Sequence, residues 1–142
     1  MASNSTSPGL PAGPGLVVED DPLLADDVAE ILRGAGLDPV ETCSTTEAAR
    51  EALARLSPAV VVLDVRLGDR DDGWAFAELL PLLAPHQPRL VFATGAPESI
   101  PPEVAALGSV LSKPYAPADL LAALGADRGT GLFGRLRGAL GG

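Results

Sequence analysis

Side chains suited to metal binding and to phosphoryl chemistry follow several short apolar runs of this sequence. The polar residues that end these runs are Glu19, Asp20, Asp64, Thr94 and Lys113. Three carboxylates held close together repel one another, and their pKa values rise unless a cation joins them. A hard divalent ion with oxygen ligands, Mg²⁺ above all, relieves that repulsion. Lys113 and Thr94 add a fixed positive charge and a hydroxyl donor, which together would stabilise a phosphoryl group carried by Asp64.

Asp64 follows five apolar residues, Ala59–Leu63, with three consecutive valines among them. No polar residue marks an exposed face, so the run predicts a central parallel strand covered on both sides. Such a strand ends at the carboxyl edge of its sheet, where open α/β folds bind ligands. Asp64 could also simply end a strand and start a turn, as Asp often does. The other strand-end residues favour the functional interpretation.

Strands and helices alternate along the rest of the chain. Apolar runs predict strands at 16–18, 37–42, 59–63, 90–93 and 109–111. Pro39 interrupts the second run, so we expect that strand at an edge of the sheet. Five βα repeats imply a parallel sheet with helices on both faces.

The helices have recognisable starts. Asp21 is a plausible N-cap for a first helix, whose inward face is predicted to hold Leu24, Val28, Ile31 and Leu32. Ser44–Glu47 has capping-box spacing, and a second helix should run to about Leu56. Residues 74–83 predict a third helix, which Pro81 should shorten or kink. Residues 97–107 predict at best a broken helix, and Pro117 opens the last one.

Charge and composition exclude several classes of protein. The net charge is −9; segment 126–142 holds three Arg and one Asp, a charge of +2, so the remainder carries −11. An acidic body argues against nucleic-acid binding and suits a cation or a basic partner. The single Cys43 excludes an internal disulfide and a zinc cluster, and a cytoplasmic location fits.

The two ends of the chain differ in composition from the middle. Residues 1–14 are rich in Ser, Pro and Gly and predict a disordered leader, without the features of a signal peptide. No apolar stretch approaches the ~20 residues of a membrane span. Residues 126–142 form a basic, weakly amphipathic segment that could bind a membrane or a partner as a helix. Its glycines disfavour a helix, so we expect a flexible tail after a monomeric domain at 15–125.

The strand-end motifs, taken together, resemble the receiver domain of bacterial two-component response regulators. They are Val17–Asp20, Leu63–Asp64, Ala93–Gly95 and Lys113–Pro114. The specificity of the resemblance lies in the order, the spacing and the strand-end placement of these motifs together, not in any one motif. The resemblance implies an α/β fold, (βα)5 doubly wound and flavodoxin-like, with a five-stranded parallel sheet in the order 2-1-3-4-5.

The resemblance also implies a role for each residue. Asp64 is the phosphoacceptor. The implied Mg²⁺ ligands are Asp20, Asp64, Glu19 through a water, and the backbone carbonyl of Arg66. The implied phosphoryl-binding residues are Thr94, Gly95 and Lys113. The Lys113–Pro114 bond is often cis in this family.

The implied function is that of a single-domain response regulator. A sensor histidine kinase or a phosphotransfer protein would donate the phosphoryl group. The chain would not be an enzyme beyond slow self-catalysed phosphorylation and dephosphorylation. No output domain is expected after Gly125, so it would signal by contact with an unknown output protein or drain phosphate from a kinase.

Two features depart from the common pattern. Receivers often have Tyr or Phe three residues before the lysine as a rotamer switch, and here Val110 occupies that position. Phe92–Gly95 is similar to the stand-alone receivers of the FATGUY group, which also lack the aromatic. That group works with HWE-type kinases in alphaproteobacterial stress signalling. Ala96–Pro97 departs from the end of the group's motif.

Two alternative functions remain open at this point. The absent switch aromatic is compatible with a receiver-like scaffold that is never phosphorylated. A small phosphatase of the haloacid-dehalogenase type would also place an Asp after a strand beside Mg²⁺, but it needs a second Asp two residues later, where this chain has Arg66. A flavin carrier of similar fold is disfavoured because no hydroxyl-rich loop follows the first strand.

Overall fold

The computed structural model describes residues 10–64, 72–83 and 87–126, and it has the predicted alternation of strands and helices. The strands are β1 (Gly15–Val18), β2 (Val40–Cys43), β3 (Val60–Asp64), β4 (Arg89–Thr94) and β5 (Ser109–Ser112). The helices are α1 (Pro22–Gly34), α2 (Thr46–Leu56), α3 (Asp72–Leu83), α4 (Pro102–Ala105) and α5 (Pro117–Ala126).

The five strands form one parallel sheet in the order β2-β1-β3-β4-β5. This confirms the predicted flavodoxin-like topology. Pro39 precedes β2 rather than interrupting it, because the strand begins at Val40. β2 lies at an edge of the sheet, where a proline beside the strand costs no ladder hydrogen bond.

Two apolar cores lie on opposite faces of the sheet. The alternation of side chains along a strand places Val17 and Val62 in one core and Val18 and Leu63 in the other. The first core is completed by α1 and α5, and the second by α2, α3 and α4. Every residue of β3 is buried, as a central strand covered on both faces should be.

The starts of α1 and α2 are set by capping side chains. Asp21 accepts hydrogen bonds from the backbone N–H groups of Leu23 and Leu24, which confirms the predicted cap. The N-cap of α2 is Thr45, whose side chain accepts from Ala48, rather than Ser44. Leu24 was predicted to face inward but is 43% exposed, because Ala25 instead turns toward the core.

Prolines shape the second half of the chain. Pro81 lies inside α3, yet the helix continues to Leu83, so the predicted shortening is wrong. The broken helix predicted at 97–107 is confirmed as a 3-10 turn, Pro97–Ser99, followed by the single turn of α4. No helix in the described part of the chain is long and apolar enough to cross a membrane.

Part of the predicted disordered leader is ordered against the domain. The carbonyl of Pro14 accepts a hydrogen bond of 2.8 Å from the N–H of Ala59, and the carbonyl of Gly13 accepts one of 3.0 Å from Asp38. Leu10 packs against the core formed with α1 and α5. Composition alone missed these contacts because a few backbone hydrogen bonds outweigh a polar, glycine-rich bias.

Candidate functional site

Three carboxylates meet at the carboxyl edge of the sheet. β1 and β3 are neighbours in register, with Val18 opposite Leu63, so the residues that follow them lie side by side. Oxygen atoms of Glu19, Asp20 and Asp64 all lie within 4.8 Å of one another. Glu19 and Asp64 are buried, whereas Asp20 is exposed. The sheet topology thus produces the acidic cluster that the sequence predicted.

Lys113 brings a positive charge to this cluster. Its Nζ lies 3.4 Å from Oε1 of Glu19 and 3.7 Å from Oδ2 of Asp64. The backbone N–H of Lys113 donates a 2.7 Å hydrogen bond to the carbonyl of Thr94, so β4 holds the lysine at the edge. The peptide bond from Lys113 to Pro114 is cis, as expected. One ammonium therefore faces two buried carboxylates.

Glu19 has a pKa well above the ordinary value of a glutamate. Burial raises its pKa from 4.5 to about 7, and the negative charge of Asp64 adds to the rise. The N–H of Asp21, which donates to Oε2 at 3.2 Å, and the charge of Lys113 act in the opposite direction. Burial and the charge of Asp64 outweigh these two effects, so the pKa of Glu19 stays above its ordinary value.

Thr94 is the hydroxyl residue of the site. β4 lies beside β3, with Ala93 opposite Asp64, and Thr94 is buried at the end of the strand. Its Oγ1 accepts a hydrogen bond of 3.0 Å from the N–H of Ala96. The carbonyl of Ala96 in turn accepts from Ser99, from both its N–H and its hydroxyl. Because a hydroxyl also carries one hydrogen, Thr94 keeps a donor for a ligand.

Gly95 and Val110 were also singled out from the sequence. A Cβ atom added to Gly95 would meet nothing within 4 Å, so crowding does not require glycine there. A phosphoryl contact at Gly95 would therefore have to come from its backbone. Val110 lies on β5 opposite Phe92 and is 37% exposed. The switch position thus holds a short aliphatic side chain that is open to solvent.

Tyr115 belongs to this region, and the sequence analysis missed it. Its ring packs partly buried against the core formed with α1 and α5. Burial raises the pKa of its phenol, and the negative charges of Glu19 and Asp64 raise it further. Its position two residues after Lys113 was the available signal. It lines a groove that also touches Glu19 and Lys113.

Some predicted residues lie outside the described part of the chain. These include Arg66, whose carbonyl was expected to bind metal, and the segments 1–9 and 127–142. The roles predicted for them stay predictions.

The cluster has the chemistry of a site for a hard cation. Carboxylate oxygens are the ligands that Mg²⁺ prefers. Oxygens of three carboxylates converge here, and one of the three residues, Asp20, is exposed to solvent. Burial, with the charge of Asp64 beside it, keeps the pKa of Glu19 high, and a divalent ion bound to these carboxylates would favour their ionised form. The residues therefore fit the predicted ion. With Lys113 and Thr94 beside Asp64, they could also stabilise the oxygens of a phosphoryl group.

Comparison with known proteins gives the family context. The response regulator receiver domain family matches residues 16–125. Among curated proteins, the phyllosphere-induced regulator PhyR of Methylorubrum extorquens is 30% identical over 114 residues, which cover 77% of this chain and 41% of PhyR. The chain thus spans less than half the length of that relative.

Solved structures share the fold. A CheY-like response regulator receiver domain from Methylobacillus flagellatus has a TM-score of 0.69 at 24% identity, covering 78% of this chain and 93% of the other. The receiver domain of the sensor histidine kinase PA1611 from Pseudomonas aeruginosa PAO1, solved with a magnesium ion coordinated in its active-site cleft, has a TM-score of 0.69 at 21% identity. It covers 84% of this chain and 99% of that one.

Proposed function

The chain belongs to the response regulator receiver domain family, and from this premise we propose that Asp64 accepts a phosphoryl group from a histidine kinase. The observation that carries the proposal is the geometry around Asp64. Its buried carboxylate lies next to Glu19 and Asp20 and 3.7 Å from the ammonium of Lys113. Packing alone does not explain why a small domain would gather three carboxylates and a lysine at one edge.

The chemistry of the step follows from this arrangement. A carboxylate oxygen of Asp64 forms a bond to phosphorus while the bond from phosphorus to the donor's imidazole nitrogen breaks, and the imidazole keeps the electron pair. Negative charge on the transferring group is spread over its oxygens. The Lys113 ammonium supplies positive charge to these oxygens, and the Thr94 hydroxyl supplies a hydrogen bond. The strands hold both groups in place before the reaction.

Magnesium is the ion that we propose for the cluster. Glu19, Asp20 and Asp64 would hold it, with the backbone carbonyl of Arg66 as a further ligand. When bound, Mg²⁺ supplies charge neutralisation between carboxylates and phosphoryl oxygens. Glu19 keeps a hydrogen bond from the N–H of Asp21, which fixes the direction of its carboxylate toward the cluster.

The biological role proposed here is that of a single-domain response regulator in the cytoplasm. The donor would be a sensor histidine kinase, of the HWE type if the resemblance of Phe92–Gly95 to the FATGUY group holds, or a phosphotransfer protein. Signalling would pass through contact with an output protein, or the chain would act as a phosphate sink. Turnover of phosphate esters is not part of the proposal, because Arg66 stands where a dehalogenase-type phosphatase needs an acid.

The direct test is the intact mass of the purified protein after incubation with acetyl phosphate, with and without Mg²⁺. We expect a gain of one phosphoryl group that requires Mg²⁺ and is absent in Asp64→Asn. A matched control is Asp26→Asn, which removes an exposed carboxylate of α1 outside the cluster. Labelling of Asp64→Asn at the wild-type level would show that the acceptor is elsewhere. Absence of labelling from both acetyl phosphate and a panel of autophosphorylated kinases would favour the scaffold alternative.

A further inference from the structure

Ser99 is an exposed residue whose hydroxyl is hydrogen-bonded to the chain beside the proposed phosphorylation site. It ends the 3-10 turn that follows β4, and its Oγ donates a hydrogen bond of 2.7 Å to the carbonyl of Ala96. A length of this kind is typical of a well-formed bond between a hydroxyl and an oxygen. The N–H of Ser99 donates a second bond of 2.9 Å to the same carbonyl. Both lone pairs of the Ala96 oxygen are therefore engaged by one residue.

Ala96 is held on its other side by Thr94. Its N–H donates a hydrogen bond of 3.0 Å to the Oγ1 of Thr94. Ala96 has φ −136° and ψ 72°, a conformation that belongs to neither a helix nor a strand. Regular secondary structure therefore does not fix this residue, and the hydrogen bonds on its two sides do. Without the bond from the Ser99 hydroxyl, φ and ψ of Ala96 are less restricted, and with them the direction of its N–H.

The Thr94 hydroxyl depends on that N–H. The sheet fixes the backbone of Thr94, because the residue pairs with Ser112 of β5 and its carbonyl accepts from the N–H of Lys113. The side chain is fixed in addition by the bond from Ala96, which occupies one lone pair of Oγ1. A hydroxyl that accepts a hydrogen bond is polarised and becomes a better donor. The direction and the donor strength of the Thr94 hydroxyl therefore both depend on Ala96.

The turn that carries Ser99 is anchored to the domain. Ile100, the next residue, is buried in the core formed with α2, α3 and α4. Its N–H donates to the carbonyl of Pro97, and the proline ring fixes φ at the start of the turn. Ser99 is thus held from the core side, so it can restrain Ala96 instead of moving with it.

We propose that Ser99 is a positioning residue for phosphoryl transfer to Asp64, acting through Ala96 on the hydroxyl of Thr94. Ser99 takes no part in the bond changes at phosphorus. Its hydroxyl keeps the Thr94 hydroxyl directed before the reaction, and transfer is faster when such a donor is already in place. The effect on transfer rests on the function proposed for Asp64, whereas the restraint on Thr94 does not.

The kinetic test compares wild type, Ser99→Ala and Ser99→Thr. Labelling by acetyl phosphate at saturating Mg²⁺ is followed by intact mass. We expect Ser99→Ala to be labelled about threefold to tenfold more slowly, the size expected for one neutral hydrogen bond. Ser99→Thr keeps the hydroxyl and should restore the rate, and the half-saturating Mg²⁺ concentration should be the same in all three. The control Ser109→Ala removes a serine hydroxyl that contacts the carbonyl of Ala123 at the far end of β5 and should leave the rate unchanged.

A double-mutant cycle tests whether Ser99 acts through Thr94. In a Thr94→Ala background the hydroxyl that Ser99 positions is gone, so adding Ser99→Ala should cause no further slowing. Slowing by the same factor in both backgrounds would overturn the proposal, because Ser99 would then act through another group. A wild-type labelling rate in Ser99→Ala would overturn it as well.

An NMR comparison tests the restraint without a phosphodonor or Mg²⁺. Three-bond couplings of Thr94 report its side-chain rotamer, and the amide proton of Ala96 reports the hydrogen bond to Oγ1. We expect Ser99→Ala to average the couplings and to shift the Ala96 signal, whereas Ser99→Thr and Ser109→Ala should change neither. Identical couplings and shifts in wild type and Ser99→Ala would overturn the proposal. Failure of the wild type to become labelled would count against the function of Asp64 alone, because the restraint on Thr94 is measured without a phosphoryl group.

Discussion

The burial of Glu19, which raises its pKa, predicts an unusual dependence of stability on pH. In magnesium-free buffer, Glu19→Gln should stabilise the protein relative to wild type increasingly as the pH rises from 5 to 8. A carboxyl group whose pKa is higher in the folded than in the unfolded state favours folding below about 4.5, and that contribution is lost as the pH rises to about 7. Glutamine keeps the shape of the side chain and does not titrate.

The size of the effect follows from the pKa of Glu19. A rise from 4.5 to about 7 corresponds to up to about 3 kcal/mol in the free energy of unfolding, at ~1.4 kcal/mol per pH unit. Most of it falls between pH 5 and pH 8, so the variant should gain about 2–3 kcal/mol on wild type over that range. The attraction of Lys113 for ionised Glu19 is already included in this figure, because it is one of the effects that lower the pKa.

The assay is urea unfolding of both proteins at several pH values in the presence of a chelator. Glu41→Gln is a control of opposite sign, because the hydrogen bond from Arg55 lowers the pKa of Glu41, so its stabilising contribution is present above pH 4.5 and lost as the pH falls. Added Mg²⁺ should stabilise wild type more than Glu19→Gln at pH 8. A stability difference between Glu19→Gln and wild type that is the same at pH 5 and pH 8 would refute the reasoning.

Three further substitutions give expected outcomes. Thr45→Ala should lower the free energy of unfolding by about 1 kcal/mol, because the N–H of Ala48 loses its capping partner. Gly108→Ala should be strongly destabilising by the same urea assay, because its Cβ would collide with the backbone oxygen of Leu90. Lys113→Gln should tighten Mg²⁺ binding about tenfold or more in calorimetry, because a cation near the carboxylates is removed, while slowing labelling by acetyl phosphate.

Matched variants make these outcomes decisive. Ser44→Ala should leave stability almost unchanged, although Ser44 has the sequence spacing of a cap; equal losses for Ser44→Ala and Thr45→Ala would contradict the cap assignment. Gly34→Ala, at a position where a Cβ would meet nothing within 4 Å, should be tolerated or stabilising. A similar tolerance at Gly108 would contradict the close packing described there. Weaker Mg²⁺ binding by Lys113→Gln would show that the lysine supports the ion rather than competing with it.

The main architecture was predictable because it rests on strong local patterns. Three consecutive valines before Asp64 indicate a buried strand, and parallel strands necessarily bring their carboxyl ends to one edge. The convergence of Glu19, Asp64 and Lys113 follows from that rule without any knowledge of side-chain detail. Strand order was not derivable from periodicity and came from the family resemblance.

The errors arose where local patterns leave more than one solution. Helical spacing fits Leu24 on the inner face, but at the first turn of α1 the smaller Ala25 packs inward, and Leu24 is left at the rim of the groove. Capping-box spacing fits Ser44, whereas the backbone places Thr45 at the N-cap. The hydrogen bonds that link Thr94, Ala96 and Ser99 depend on the conformation of one turn, which sequence spacing does not specify.

The sheet order has a consequence for how the chain assembles during synthesis. Strands β2, β1 and β3 are contiguous in the sheet and are complete once residue 64 has emerged. In a nascent chain that ends at residue 64, pairing of these strands would bring the carboxylates of Glu19, Asp20 and Asp64 together before Lys113 is present. Their mutual repulsion would oppose that pairing until β5, which begins 45 residues after Asp64, pairs with β4 and brings the Lys113 ammonium to the cluster. The last strand thus brings a positive charge to carboxylates that the first three strands have placed.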